Sequence, residues 1–256
     1  MKSHSRKSRI TSVVPGRILL SGYDITELAG RISWGSAVFL TLTGELPKDQ
    51  VGKLMDAILV SVIDHGPTPV STLAACTAAS AGASLSASVA AGILAIAEHH
   101  GAAIESCMDL LCESVALADE PAEAAEKIVR HYHDRGMRLA GFGHRQHETD
   151  PRTVRLFEIA TELQLNGPHQ KHALSIAEVV RRCKGKALPI NVDGAIAALL
   201  CDIGFPKAAA NGIFMIARLP GLVAHSLEER RENPPLRPIN PDDYTYDGPS
   251  ERPLPN

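Results

Sequence analysis

Apolar positions recur at helical spacing along most of this chain. Between residues 48 and 63 they fall three or four positions apart, as one helix face requires: Val51, Leu54, Met55, Ile58, Leu59 and Val62. The same pattern predicts helices over residues 104–117, 121–132, 153–163, 172–182 and 211–224. A further helix can begin at Ser33 and end by Gly44 and Pro47, because serine caps helix starts and glycine or proline ends them. The pattern therefore predicts a chain of packed helices.

Residues 66–97 form a segment of 32 residues without a charge. It contains seven Val, Leu or Ile residues against eight Ser or Thr, and it breaks near Gly82. A membrane-spanning helix needs roughly 20 predominantly apolar residues. The segment therefore predicts a buried pair of helices, the second capped by Ser84, and no membrane anchor.

Composition agrees with helices and limits the partners. Hydrophobic residues make up 45% of the 256 residues but aromatic ones only 4%, so the core rests on Ala, Leu, Ile and Val. Alanine-rich, aromatic-poor chains favour packed helices over β-sandwiches. The net charge of -3 and pI near 6.4 provide no overall field for nucleic acid. An anionic ligand must therefore be held by local arginines.

The five cysteines are odd in number and show no CxxC pairing. This pattern indicates buried free thiols in a reducing cytosol, and hence a cytoplasmic protein, rather than a disulfide framework or a zinc site. The neighbours His99 and His100 cannot bind one metal ion from one helix face, because adjacent side chains point about 100° apart. Basic residues 1–9 read as a mobile tail, since Pro15 and Gly16 interrupt any apolar signal.

The stretch from Gly141 to Arg152 is the central candidate for chemistry. Glycines on both sides of Phe142 let the backbone turn sharply and approach a ligand. His144 and Arg145 follow directly, and Pro151 disfavours helix at the preceding residue, which puts Arg152 at a fixed corner. Guanidinium groups on a rigid loop suit a carboxylate or phosphate. The alternative is a surface loop with ordinary charges.

Four other residues have both a functional and a structural interpretation. His65 stands at a predicted helix end, where it is either a C-terminal cap or a functional side chain. His100 precedes Gly101 and is either a partly exposed polar residue or a site residue. Asp193 is either the N-cap of the helix after it or a base whose pKa burial raises. Arg218 lies in an apolar helix, where a charge needs an anionic partner.

Together these segments resemble the citrate synthase and citryl-CoA lyase family. The matching blocks run in family order from about Gly22 to Gly248 and cover nearly the whole chain. They comprise GYxIxELA…GELP (22–47), the Asp-His-Gly segment at 64–66 with Val70-Ser71, the HGAA turn (100–103), GHR…DPR (143–152), NVDG (191–194), NGIFMIARLPGLVAH (211–225) and the basic arm near 237. Ala102 and Ala197 depart from family glycines, and Ile239 from a family basic residue.

The resemblance implies an all-α fold with an interdomain active-site cleft. The large domain would comprise residues 1–102 and 216–256, and the small domain residues 103–215. The family also implies a homodimer, with the partner subunit's Arg237 entering the site. Coenzyme A thioester would be substrate or product, with no tightly bound cofactor and no metal.

Site roles follow from the same resemblance. Asp193 would exchange the proton at the thioester α-carbon, His100 would donate to the enolate oxygen, and His144 would act at the ketone or alcohol of the four-carbon acid. The carboxylates would be held by His65, Arg152, Arg218 and the partner subunit's Arg237. Coenzyme A would contact Gly141, Phe142, Gly143 and Arg145.

The implied reaction is cleavage of citryl-CoA, or a homologue, to acetyl-CoA and oxaloacetate. The NVDG and NGIF segments resemble the lyase module of ATP-citrate lyase, and the chain before His65 is shorter than in full citrate synthases. A short citrate synthase, which also hydrolyses the thioester, is the alternative. A non-catalytic acyl-CoA-binding relative is the second alternative, although it has no need for His100, His144 and Asp193 together.

Overall fold

The computed structural model describes residues 7–98, 100–117, 120–143, 148–184, 188–237, 242 and 245–254. Eleven α-helices lie within these residues, together with one 3₁₀ turn at Lys207–Ala209 and three short strands. The strands are β1 (Thr11–Val14), β2 (Arg17–Leu20) and β3 (Tyr23–Asp24). The helices are α1 (Ile25–Leu28), α2 (Trp34–Thr43), α3 (Asp49–Ser61), α4 (Val70–Ser80), α5 (Leu85–Leu94), α6 (Ala103–Ala116), α7 (Pro121–Asp134), α8 (Pro151–Glu162), α9 (Pro168–Lys184), α10 (Val192–Asp202) and α11 (Ala210–Glu232).

The predicted helix starts and stops are confirmed at several caps. Ser33 Oγ accepts from Ser36 N before α2, and Gly44 ends that helix in the left-handed conformation. The neutral segment forms two helices, α4 and α5, with Ser84 capping the second. No helix in the described part of the chain is long and apolar enough to cross a membrane.

A small sheet near the N-terminus is the one element type that the hydrophobic pattern does not predict. Its three strands pair antiparallel in the order β1-β2-β3. Ser21 and Gly22 both adopt positive φ, the signature of the tight turns that join hairpin strands. The strands have two to four residues and are largely exposed, so they lack the alternation that marks a strand.

The core is built around α10. Its residues from Gly194 to Leu200 are all buried, and it packs against α6, α8 and α9. A helix apolar on every side is stable only inside a protein. The N-terminal end of α10, which carries Asp193, is thereby held in the middle of the molecule.

Several predicted boundaries differ from the structure, among them the start of α9, which begins at Pro168 rather than at His172. The α3 helix ends at Ser61, short of Ile63, and α5 ends at Leu94, so His100 lies in a turn where its backbone pairs with Ala97. The α11 helix continues to Glu232, beyond the predicted 224, because its last turns keep Ser226 and Glu229 buried although the sequence there is mostly charged.

The predicted division into two domains stays a prediction. Residue 102 precedes the first residue of α6, whereas the boundary at 215 and 216 falls inside the continuous helix α11.

The prediction of buried cysteines is right for two of the five. Cys76 and Cys107 are buried, but Cys112 and Cys183 are exposed and Cys201 is half-buried. Cys112 lies beside the buried stripe of α6, Cys183 lies at the C-terminal end of α9, and all five cysteines are free thiols.

Candidate active site

Asp193 is the second residue of α10, and it is not the cap of that helix. Asn191 takes that position, with its Oδ1 accepting a hydrogen bond from Gly194 N at 3.1 Å. The capping interpretation of Asp193 is therefore wrong. Its carboxyl group does not cap the helix and lies near the N-terminal, positive end of buried α10.

Burial raises the pKa of Asp193 from 3.8 to about 6, although the positive charges of Arg152 and Arg218 lower it. The negative charge of Asp150 raises it further. The effect of burial on the pKa of Asp193 is therefore larger than the opposing effect of the two positive charges. A carboxyl group with a pKa near 6 can both accept and return a proton near neutral pH.

The central loop is joined to the segment before α10 by its backbone. Gly143 N donates to Pro189 O at 2.7 Å, and Asn191 N donates to Gly141 O at 3.0 Å. The Asn191 side chain also donates to Gly143 O at 2.9 Å. At Gly141, where φ is +81°, an added Cβ would lie 2.7 Å from Gly194 Cα and 2.5 Å from Cys107 Sγ. The loop and the start of α10 therefore meet at a contact that only glycine permits.

Phe142 anchors the same loop from inside. Its side chain is buried in the core and its backbone pairs with Ile190. A role of this loop in coenzyme A binding stays a prediction, and it would rest on the backbone of Gly141 and Gly143 rather than on the phenyl ring.

Asp150 joins the corner at Arg152 to the start of α10. It is fully buried and holds Arg152 through two bonds, Nε to Oδ1 at 3.0 Å and Nη2 to Oδ2 at 2.8 Å. It also accepts from Val192 N at 3.1 Å, one residue before Asp193. The predicted fixed corner at Arg152 is present, since Pro151 begins α8 and Asp150 caps it.

Arg218 is a buried cation, only 2% exposed. Its Nε donates to Val62 O at 2.9 Å, and its guanidinium lies 4.9 Å from the centroid of the Phe214 ring. Its Nη1 has no hydrogen-bond partner among the described residues. Burial lowers the pKa of Arg218, while the charges of Asp64 and Asp193 raise it. A buried guanidinium with an unpaired nitrogen is suited to an anionic ligand.

His100 shares Phe214 with Arg218. Its ring packs edge-on against Phe214 with centroids 6.0 Å apart, and its Nε2 lies 2.8 Å from the buried Oγ of Ser71. Gly101 follows with φ +76°, and an added Cβ there would collide with the same phenyl ring. The structure therefore brings both His100 and Arg218 against the same aromatic ring.

His65 lies in the exposed loop between α3 and α4, three residues after Val62. Because α3 ends at Ser61 with Val62 as its cap, the interpretation of His65 as a helix cap is wrong. His144 and Arg145, predicted for catalysis and coenzyme A binding, lie outside the described residues, as does His99.

The sequence matches the family described as Citrate synthase, C-terminal domain, over residues 39–239. The match covers well over half of the 256 residues. The chain belongs to the citrate synthase family.

Solved structures and sequence relatives place it within the family. The structure of citryl-CoA lyase from Hydrogenobacter thermophilus is 41% identical with a TM-score of 0.90, covering 98% of this chain and 97% of that one. Citrate synthase from Thermotoga maritima MSB8 is 25% identical with a TM-score of 0.72, covering 88% of this chain and 60% of that one. Citrate synthase from Haloferax volcanii is 28% identical over 241 residues, which are 91% of this chain and 62% of that protein. The chain thus spans less than two thirds of the length of this last relative.

The all-α citrate synthase fold implied by the resemblance is confirmed. Within it, Asp193, Arg152 and Arg218 act on one another electrostatically, and His100 joins them through Phe214. Arg237 lies elsewhere in its own chain. Its guanidinium pairs with buried Glu229, and its backbone N donates to Ser80 Oγ.

Residues that hold the site together were missed by sequence reasoning. Ser71, Asp150 and Asn191 each make the hydrogen bond that orients a predicted site residue or its loop. Asn191 carried a local signal, since an asparagine directly before a helix start favours capping. The contact between Ser71 and His100 spans 29 residues and the bond from Val192 N to Asp150 spans 42, beyond any local pattern.

Proposed function

We propose that this member of the citrate synthase family cleaves citryl-CoA, or a close homologue, to acetyl-CoA and oxaloacetate. The observation that carries the proposal is Asp193, a carboxyl group with a pKa near 6 beside two guanidinium groups. Support also comes from the 41% identity to a protein described as citryl-CoA lyase, across nearly the full length of both chains.

Asp193 would supply the proton that the cleaved carbon needs. In the cleavage direction the tertiary hydroxyl of the substrate loses its proton, the carbon–carbon bond breaks, and its electron pair becomes the enolate of acetyl-CoA. Protonated Asp193 then donates to the enolate carbon, which completes acetyl-CoA and leaves a carboxylate. The family assigns the proton of the hydroxyl to His144. A donor with a pKa near 6 is matched to this exchange at neutral pH.

His100 would stabilise the negative charge that develops on the thioester oxygen. The role requires its donor to be Nδ1–H, so Ser71 would donate its hydroxyl proton to Nε2. Ser71 is fully buried, and the ring is held by Phe214 as well. A donor held in place before the reaction avoids reorganisation at the transition state.

Arg152 and Arg218 would hold the carboxylates of the four-carbon acid, with His65 and the partner subunit's Arg237 as further contacts. The unpaired Nη1 of Arg218 matches this role, because a carboxylate would satisfy a buried donor that the described protein atoms do not. Arg152 is 21% exposed at its side chain and is aligned by Asp150, so it keeps an accessible edge. Charges fixed in this way would orient the bond to be broken.

A short citrate synthase is the competing proposal, since family relatives of that name also match. Both enzymes form the same carbon–carbon bond in reverse, so condensation does not separate them. A synthase also hydrolyses the thioester, which needs a positioned water in a sealed cleft. A non-catalytic acyl-CoA-binding protein would have no use for a carboxyl group whose pKa is raised.

We predict that the protein, given acetyl-CoA and oxaloacetate, releases little free thiol while forming a citryl thioester. A lyase leaves the thioester of its condensation product intact. Thiol release is measured with a disulfide reagent, and the product by mass spectrometry, with citryl-CoA supplied in a parallel reaction. Stoichiometric thiol release at roughly 1–10³ s⁻¹ would establish a synthase and overturn the lyase proposal.

We also propose a homodimer in which each site receives Arg237 from the other subunit. Arg237 N is bonded to Ser80 at the end of α4, whereas Ser71, nine residues earlier, contacts His100. Nine residues of helix correspond to about 14 Å along its axis. A wide apolar groove around Trp34, which is 68% exposed, provides a surface for a second copy of the chain.

Mixing two inactive variants is expected to restore activity. If Arg237→Ala and Asp193→Asn subunits exchange, each mixed dimer regains one site that has both groups. With random pairing, about one quarter of wild-type activity should return. Assays of the mixture after subunit exchange, with each variant alone as control, measure this. Exchange shown by mass spectrometry without recovered activity would place Arg237 in its own chain's site or outside catalysis.

A further inference from the structure

Three metal-binding side chains converge on a face that the proposed reaction does not use. Cys112 from α6 and Cys201 from α10 have their sulfurs 3.8 Å apart, and His169 Nε2 from α9 lies 3.9 Å from Cys112 Sγ. All three ligand atoms lie within 4.8 Å of one another. We propose that Cys112, His169 and Cys201 form a structural binding site for one zinc ion.

The spacing of the ligand atoms fits a tetrahedral ion. Zinc–sulfur bonds of about 2.3 Å and zinc–nitrogen bonds of about 2.0–2.1 Å put two sulfurs about 3.8 Å apart, and a sulfur and a nitrogen about 3.6 Å apart. The sulfurs already stand at this separation. His169 Nε2 has to move a few tenths of an ångström toward Cys112 Sγ, and it lies within 4.8 Å of Cys201 Sγ. A disulfide between the two cysteines would not involve His169 Nε2, which lies beside them.

A buried carboxylate orients the histidine. His169 Nδ1 lies 2.8 Å from Asp202 Oδ1, and the Asp202 side chain is fully buried. Asp202 also accepts from the backbone N–H groups of Gly167, His169 and Gln170, so its own position is fixed. With the ring proton held on Nδ1 by this carboxylate, the lone pair of Nε2 points to the sulfurs. Carboxylate–histidine pairs of this kind support the metal-binding imidazole in zinc sites.

Charge balance favours a divalent cation at this point. On binding, each thiol would lose its proton to the buffer as a sulfur–zinc bond forms, which leaves two thiolates around Zn²⁺ with no net charge. Because Cys112 is exposed, water can fill the fourth position.

A zinc ion at the position of this cluster would cross-link helices of the core. Cys201 is eight residues from Asp193 on α10, about 12 Å along the helix axis, so the ion would not touch the proposed reacting atoms. It would instead link α6, α9 and α10, the helices that surround the catalytic one. Cysteine spacing along the chain conceals the site, because the three ligands come from separate helices.

The site is tested on the untagged full-length chain, reduced and stripped of metal, by competition for zinc with a chromophoric chelator. We expect one zinc ion per chain. Cys112→Ser and Cys201→Ser should each weaken binding at least tenfold, as should His169→Gln. Cys183→Ser removes an exposed cysteine outside the cluster and should bind as the wild type does. Cobalt in place of zinc should give the intense visible bands of tetrahedral thiolate coordination, and these should disappear in the cluster variants.

Equal zinc affinity in the Cys183→Ser control and the three cluster variants would overturn the proposal, as would a wild-type protein that takes up no zinc. A Cys112–Cys201 disulfide that forms on exposure to air even with zinc present would indicate a redox pair instead. Circular dichroism identifies any variant that fails to fold, and the histidine variant then decides, because it leaves both sulfurs in place.

Discussion

Replacing Asp193 with asparagine is expected to lower kcat by about 10²–10⁴-fold, the usual contribution of a positioned acid or base. Asparagine has nearly the same shape but cannot exchange a proton. The Asp193 side chain accepts no hydrogen bond from the described residues. The substitution should therefore leave the fold and the affinity for coenzyme A nearly intact. The loss would therefore appear in kcat rather than in expression or binding.

Relative to the wild type, the same variant should become more stable as pH rises. The folded pKa of Asp193, about 6, lies above its ordinary value of 3.8, so the wild type loses stability as pH rises from about 4 through 6. Asparagine does not ionise and avoids that loss. The difference corresponds to at most roughly 3 kcal/mol above pH 6, and it should vanish near pH 3.

Kinetics, circular dichroism and urea unfolding at several pH values measure both effects. Asp49→Asn is a matched control, because Asp49 is a surface acid with a side chain 79% exposed, and its one ion-pair partner within the described part of the chain is Lys53. It should change neither kcat nor the pH dependence of stability. A near-normal kcat for Asp193→Asn would remove Asp193 from the role of proton donor.

The helices of this protein were predictable because most of them bury one regular apolar stripe. Local chemistry also predicted caps such as Ser33, Gly44 and Ser84. The sheet was not predictable from its pattern, since its strands are too short and exposed to alternate. The end of α11 was missed because the burial of Glu229 depends on Arg237 and Asn233 rather than on hydrophobicity.

For the site, residue types and order provided the candidate side chains, but not how they are held. Asp193, Arg152 and Arg218 could be proposed from motifs. Asn191 caps α10 and Asp193 does not, although the two residues are only two positions apart. A hydrophobic pattern does not locate the start of a helix to within two residues. The buried bond from Val192 N to Asp150 depends on the packing of two distant segments, and only the folded chain shows it.

Replacing Gly194 with alanine is expected to disturb both stability and catalysis, although the change adds a single methyl group. An added Cβ would overlap the carbonyl oxygen of Gly141, and it would also lie 3.0 Å from the carbonyl carbon. Backbone cannot rotate away as a side chain can, so the loop and α10 must move apart. Overpacking of this kind costs about 1–3 kcal/mol of unfolding free energy.

The activity of Gly194→Ala should fall further than its stability alone explains. The displaced loop leads into the GHR segment, and the displaced helix carries Asp193 one residue earlier. A misplacement of about 1 Å between reacting groups can lower the rate about 10²-fold.

Gly212→Ala is the matched control for this prediction. Gly212 lies in α11, and an added Cβ there meets nothing within 4 Å. Alanine is the better helix former, so this variant should gain about 0.4–1 kcal/mol and keep its kcat. Urea unfolding and steady-state kinetics on the two variants separate the local contact from the general effect of replacing a helical glycine. If Gly194→Ala matched the control in both measurements, the Gly141–Gly194 contact would not be what positions Asp193, and the bonds through Asn191 and Asp150 would have to do so alone.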